Sequence, residues 1–521
     1  MRLWLKHVIA FFVLNLACGG VLAQADTLLY IEPVEITEKS VRLIPVGSRA
    51  TTWTADDLRE GSTRDLSELL SRESNVYIKS YGLGSMATSS IRGGGAGHTL
   101  ILWNGLPIQS PMLGQLDLSL LPLGSFGSVR LQPGGNSSSW GSGAIGGLIH
   151  LRSQRDFSDG YAIESQTFMG DFGRLRQRLT AKVSTNKFFS VSHFEYTEAE
   201  NDFSYPIAPD FPERKQTNAE LNQRLFTQDL GWKLNQKSKL SFHLWHQDSE
   251  REIPPTNVQN RSLAFQVDEA TRIMGRFTHE GNKWSLNAKG GYFDENLRFV
   301  DPLQSLDEFS RFRSYLLDFT AEVSLTSRQR LMLGHTQILT QAEAEGYRGL
   351  QDEHRISLFG TWLLDFRDLD AAVSLRQEFV DGEAVVPIPS LAFDYTPWDA
   401  IKISGKVSRN FRLPTLNDRF WRPGGNPDLK PETGWSQEVT FKNYFGSKKS
   451  FTWSATGFNR NIRNWILWSP DPEAFYWSAS NVASVWSRGV ELRVEGEVKV
   501  DSWNLRFSAG YDYIRDRKSV V

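Results

Sequence analysis

The sequence predicts a mostly β chain: a transmembrane antiparallel β-barrel preceded by a small α+β domain. Three observations carry that reading. Hydrophobic residues alternate with a period of two over the C-terminal two thirds, connections alternate between short and long, and the chain opens on a secretory signal.

The signal comes first. Arg2, Lys6 and His7 make a basic start, and Val8 to Cys18 is an apolar run too short to span a bilayer. Val21-Leu22-Ala23 places cleavage between Ala23 and Gln24. A retained anchor is the alternative, and a lipoprotein route through Cys18 is disfavoured because Asn15 stands where an aliphatic residue is expected. Cys18 is the only cysteine, so the mature chain has no disulfide or thiolate chemistry. No later apolar run suits a transmembrane helix.

The composition fits a barrel. Net charge is −2, so nothing points to a polyanion partner such as nucleic acid. Mean hydropathy is −0.38, low for helical spans. It is expected of strands that give every second residue to lipid and the others to a polar lumen. The 17 tryptophans suit a membrane interface, where one end of the ring is apolar and the other wets.

Alternation is clearest at Trp503, Leu505, Phe507, Ala509, Tyr511 and Tyr513, interleaved with polar residues and Gly510. Val490, Leu492, Val494 and Val498 alternate likewise with Glu491, Arg493, Glu495, Glu497 and Lys499, and Leu240, Phe242 and Leu244 repeat the pattern. Tight turns are expected at Asn235–Ser238, Gly281–Asn282, Thr326–Arg328, Asp365–Asp368, Pro397–Asp399 and Gly446–Lys449. Long polar connections fall near 199–220, 250–267, 296–312, 342–351 and 412–432. A meander crossing a membrane gives this rhythm; a soluble Greek-key sandwich has no reason to keep it.

Residues 50–154 read as the α+β domain, with helices at Ala55–Glu60 (N-cap Thr54) and Arg64–Leu70. Strands are expected at Asn75–Lys79, Thr99–Leu102, Ser128–Leu131 and Leu148–Leu151. The domain also holds Val76-Tyr77-Ile78, Ile91-Arg92-Gly93, Thr99 to Pro107, and Gly141 to Ile149. The barrel holds Phe411-Arg412-Leu413-Pro414-Thr415-Leu416-Asn417-Asp418, Gly425-Asn426-Pro427-Asp428-Leu429-Lys430-Pro431-Glu432, and Val490-Glu491-Leu492. In this order the blocks resemble the TonB-dependent outer-membrane receptors, from the mature N-terminus nearly to the end. Asn104 departs from the Asp common in the family's plug, and Gln132-Pro133-Gly134-Gly135 from its Arg-Gly-Pro.

The resemblance implies a signal peptide at 1–23, a TonB box and linker at 24–49, a plug at 50–154 inside the lumen, and a barrel at 155–521. It implies import of a scarce, bulky nutrient across the outer membrane of a Gram-negative bacterium, by a receptor that is not an enzyme and carries no cofactor. The energy would come from the inner-membrane TonB complex, pulling on a segment that resembles the family's box, Asp26-Thr27-Leu28-Leu29-Tyr30; Glu32 to Thr37 is a second candidate. Either can add as a strand to a partner's sheet edge. From residue 160 about seventeen strands are counted, against 22 in this transporter type. An odd count leaves an open edge, and the ending Lys518-Ser519-Val520-Val521 lacks the family's terminal aromatic. The expectation is a C-terminally truncated member.

The ligand is expected between plug apices and outer loops. One apex is Ser80-Tyr81-Gly82-Leu83-Gly84-Ser85-Met86, with Ser80, Tyr81, Leu83 and Met86 as contacts; the other offers Gln109, Ser110, Met112 and Leu113. Their mixture of apolar and small polar groups suits a large amphipathic, mostly neutral ligand. With the barrel motifs, they look most like the vitamin B12 (cobalamin) receptor branch. A ferric siderophore or haem is the alternative, with Arg214, Lys215 and Arg251 able to serve an anion.

Other motifs are set aside. Gly141-x-Gly143-x-x-Gly146 and Gly82-x-Gly84-x-x-Ala87 match a dinucleotide fingerprint, but no helix is expected after them. The histidines, His98 among them, are scattered without metal or triad spacing, and Asp202 and Asp210 lack EF-hand spacing. A porin would lack the plug block, and a barrel enzyme would show a nucleophile–His constellation.

Overall fold

A computed structural model describes residues 46–60, 65–82, 84–154, 157, 159–206, 212–256, 258–446, 450–471, 475–500 and 503–520. The expected signal peptide and TonB box, including Ala23, Gln24 and Asp26 to Tyr30, lie outside them.

Among the described residues, seventeen long strands form one sheet, from Gly160–Gly170 to Trp503–Val520, each paired antiparallel with its chain neighbour. The edge expected from an odd count is not open, because the strand order closes with the last strand beside the first. Sixteen antiparallel steps leave those two strands running the same way, so an odd number closes only through one parallel seam.

The alternation decides which side chain meets which medium. Leu505, Phe507, Tyr511 and Tyr513 are exposed on the outer wall, as are Val490, Leu492 and Val494. The interleaved Glu491 is buried in the lumen. Near the short turns, Trp284, Phe366, Trp398, Phe445 and Trp503 stand exposed, as an aromatic girdle at one membrane interface does.

Five of the expected tight turns hold, and the sixth, Gly446–Lys449, lies mostly outside the described residues. Two of the long connections do not hold. Residues 296–312 belong mainly to the strands Trp284–Asp301 and Leu306–Thr326, which continue as a hairpin beyond the usual strand length. The Arg298 guanidinium bridges Asp307 across it with bonds of 2.8 and 2.6 Å, so charge pairs hold polar sequence in strand geometry. Near 342–351 the connection shrinks to the segment between Ala344 and Gln351.

The plug sheet has the order Thr51–Thr54, Phe126–Pro133, Gly147–Ser153, Thr99–Trp103, Leu106–Pro107. Thr99–Trp103 is buried at every position and pairs parallel with Gly147–Ser153, as suits a strand covered on both faces. Ala55–Glu60 is helical, with Thr54 hydrogen-bonded to Asp57 at 2.8 Å. The second helix is Leu66–Glu73, later than expected, because the Asp65 carboxylate caps it by accepting from Glu68 N–H. The expected Asn75–Lys79 strand is Tyr77–Ser80, paired with Ala87–Ser90. Gly141 and Gly143 have positive φ and lead into a strand, so no dinucleotide-binding helix follows them.

The plug core continues into the barrel wall. Trp103 meets Trp245 edge-on at 5.6 Å, Phe126 meets the same ring at 5.4 Å, and Phe293 and Leu316 join the cluster. Apolar burial of this kind, roughly 25 cal/mol per Å², seats the plug in the lumen.

Candidate binding cavity and plug anchor

The strand Ile401–Arg412 delivers Phe411 and Arg412 to the rim, and the loop that follows folds inward. Leu416 and Asn417 N–H donate to the carbonyls of Pro111 and Met112, at 3.0 and 3.1 Å. Thr415 and Asp418 cap the short helix Leu416–Phe420 reciprocally. Gly114 must be glycine here: its φ is +69° and a Cβ would meet Thr415 Cγ2 at 2.6 Å.

Beside this contact lies a cavity of about 700 Å³. The plug supplies its floor from Gly93 to His98 and one wall from Met112, Leu113 and Gln115. The barrel supplies Arg412, Thr415, Asn417, Asp418, Trp421, the run Trp465-Ile466-Leu467-Trp468, Asp516 and Lys518. Three indoles and four aliphatic or thioether side chains meet a few polar groups, in a volume within the roughly 300–1,000 Å³ range of small-molecule sites.

A chain of polar contacts runs beneath it. Gly95 N–H donates to His98 Nδ1 at 3.0 Å, which fixes that nitrogen as acceptor and puts the proton on Nε2. Nε2 then donates to Glu432 Oε2 at 2.6 Å. Glu432 Oε1 accepts from Arg412 and from Ile466 N–H, both at 3.0 Å. Arg412 also reaches Asp418 at 3.2 Å, and Trp468 Nε1 donates to Asp418 at 2.8 Å. Trp465 stacks on the His98 ring at 4.1 Å. Burial holds the His98 imidazole below its ordinary pKa, against the opposing pull of Glu432.

The two predicted apices do not share one site. Met112 and Leu113 line the cavity; the Ser110 hydroxyl accepts locally from Met112 and Leu113 N–H, and Gln109 donates to Thr99 O. Tyr81 lines a separate, much smaller cleft against Phe203, Gln216 and Pro254. Tyr81 and Met86 are exposed, Ser80 bonds locally to Gly82, and Leu83 lies outside the described residues. Arg251 is engaged by Asp117, Lys215 by Asp202, and Arg214 by the carbonyls of Gln259 and Asn260, and none of the three lines the cavity. Asp210 lies outside the described residues, among which no metal-ligating group of three appears.

A second arrangement ties plug to barrel. Arg92 Nε and Nη2 donate to Glu491 at 2.7 and 2.9 Å, and Nη1 donates to Glu438 at 2.7 Å. Its guanidinium lies 4.6 Å from the Phe458 ring, and its carbonyl accepts from Arg460 at 2.7 Å. Burial opposes the Arg92 charge, but the two carboxylates outweigh it and raise the pKa above the ordinary arginine value.

Residues 124–520 match the family described as TonB dependent receptor-like, beta-barrel, and residues 43–148 match the TonB-dependent Receptor Plug Domain. The chain is a TonB-dependent receptor. It is therefore an outer-membrane protein of a transport family. The vitamin B12 transporter BtuB of Photobacterium profundum is 24% identical over 84% of this receptor and 71% of its own length. That of Vibrio vulnificus is 22% identical over 80% and 68%. Among solved structures, the FrpB iron transporter of Neisseria meningitidis superposes with a TM-score of 0.76 at 14% identity, over 91% of the receptor and 80% of that chain. The siderophore receptor PirA of Pseudomonas aeruginosa gives 0.72 at 16%, over 90% and 85%.

Proposed function

We propose that this receptor imports a corrinoid, cobalamin or a close relative, and that the ligand binds in the cavity between the Gly93–His98 floor and the three tryptophans. The observation that carries the reading is the cavity's make-up. Flat apolar walls supply contact area, while Asn417, Gln115 and backbone groups offer hydrogen bonds for orientation. The BtuB transporters among its relatives support the same ligand. The receptor needs no catalytic chemistry of its own.

Import would be driven through the segment Asp26 to Tyr30, which the TonB complex would engage as an added strand. In this reading a pull on the N-terminus works against the Arg92 anchor and remodels the plug.

Thermal unfolding of the purified receptor tests the ligand. Cyanocobalamin should raise the midpoint, since a ligand at 100 times its Kd stabilises by about 2.7 kcal/mol. A ferric siderophore or haem that protects while cyanocobalamin does not would replace the corrinoid reading. Leu28→Pro or Leu29→Pro should abolish uptake and leave binding intact; retained uptake would move the box to Glu32–Thr37.

A further inference from the structure

We propose that Asp418 determines specificity, by occupying Arg412 so that its guanidinium is withheld from an anionic ligand. Among the described residues, Arg412 and Lys518 are the cationic side chains lining the cavity, His98 being held as a neutral donor. Arg412 is enclosed: Glu432 takes one guanidinium nitrogen and Asp418 the other, and its side chain is only 12% exposed. Lys518 stands two residues from Asp516 on the same face of its strand, and both line the cavity. Counting Arg412 and Lys518 against Asp418, Asp516 and the underlying Glu432 gives a site that is slightly negative. An anion entering it gains no net attraction and meets one unfavourable charge.

The geometry shows which residue sets this condition. Glu432 cannot leave Arg412 without also releasing His98 and Ile466 N–H. Asp418 is the removable partner, at the rim and on the short helix Leu416–Phe420. Asparagine there keeps a side-chain oxygen for Trp468 or the Thr415 N–H but removes the charge. Arg412 then has a free donor pair toward the cavity, in the forked geometry that suits carboxylate, catecholate or phosphate oxygens. This inference rests on the corrinoid reading of the site and adds the rule by which the site rejects other cargo.

The experiment measures, in the purified receptor, the Kd of a ferric tricatecholate complex and of cyanocobalamin. Asp418→Asn should shift the ratio of the two constants in favour of the anion by about tenfold or more, the worth of a freed charge-assisted hydrogen bond. Adding Arg412→Gln to that variant should remove the shift. If Asp418→Asn does not fold, the salt dependence of the wild type decides: anion binding should be weak and flat between low and high ionic strength. A ratio unchanged in Asp418→Asn, or wild-type anion binding that is tight and falls steeply with salt, overturns the proposal. Failure of the wild type to bind cyanocobalamin at all would instead overturn the corrinoid reading.

Discussion

Replacing Arg92 by leucine should loosen the plug in its barrel by about 3–5 kcal/mol, the usual cost of removing one partner from a buried ion pair. The structure sets that scale. Arg92 makes three bonds of 2.7–2.9 Å to two carboxylates whose side chains are 9% and 4% exposed. Without it Glu438 loses its guanidinium, and Glu491 keeps Arg49 at 3.4 Å. The leucine gains packing against Phe458 but satisfies neither acid. A cost of this size raises the released population roughly 150- to 4,000-fold. Hydrogen exchange of the buried strands Thr99–Trp103 and Gly147–Ser153 in detergent reads it directly, since those amides exchange when the plug opens. Combining Arg92→Leu with Glu438→Gln and Glu491→Gln should restore part of the protection, because no buried carboxylate is then left without its guanidinium, while Arg49 loses its acid partner. Exchange in Arg92→Leu within twofold of wild type would show that Arg92 does not hold the plug, and so would a triple variant worse than the single one.

Gly114→Ala should destabilise the apex by about 1–3 kcal/mol through its positive φ and its contact with Thr415, seen as faster exchange confined to residues 110–114. Trp465→Ala should weaken cyanocobalamin binding at least about tenfold by removing aromatic surface from the wall, measured by titration calorimetry. His98 gives a pH prediction. Its folded pKa lies below the ordinary value, so on acidification the unfolded imidazole takes up a proton near pH 6.5 while the folded one stays neutral. Stability should therefore be lost as pH falls from about 6.5 to the folded pKa, and His98→Gln should lack that slope in denaturant titrations.

Much of the barrel is legible in the sequence because lipid and lumen impose opposite demands on adjacent residues. Trp503 to Tyr513 needs no tertiary knowledge to assign. The strands that escape notice are those without that contrast: Thr51–Thr54 and Ala87–Ser90 are short and mostly polar or small, and only their partners in the sheet make them strands. The hairpin around 302–305 reads as a loop for a related reason, since charge pairs rather than apolar alternation hold it. The cavity is half legible. Met112 and Leu113 are visible as an apex, and Arg412 to Asp418 as a motif. His98 reads as a solitary histidine because its partner Glu432 is 334 residues away. The glycines around it carry the one local signal. A Cβ at Gly95 would sit 3.3 Å from the His98 ring, and one at Gly97 3.0 Å from Arg412. The run from Gly93 to Gly97 thus clears space for a packed polar network.

A receptor whose outer cavity holds a corrinoid binds it without help from other cargo. Saturation binding of labelled cyanocobalamin to the purified receptor, repeated with excess unlabelled ferric siderophore, tests it most directly. A single saturable site that the siderophore does not displace is expected. Absence of saturable binding, or full displacement by the siderophore, would contradict it.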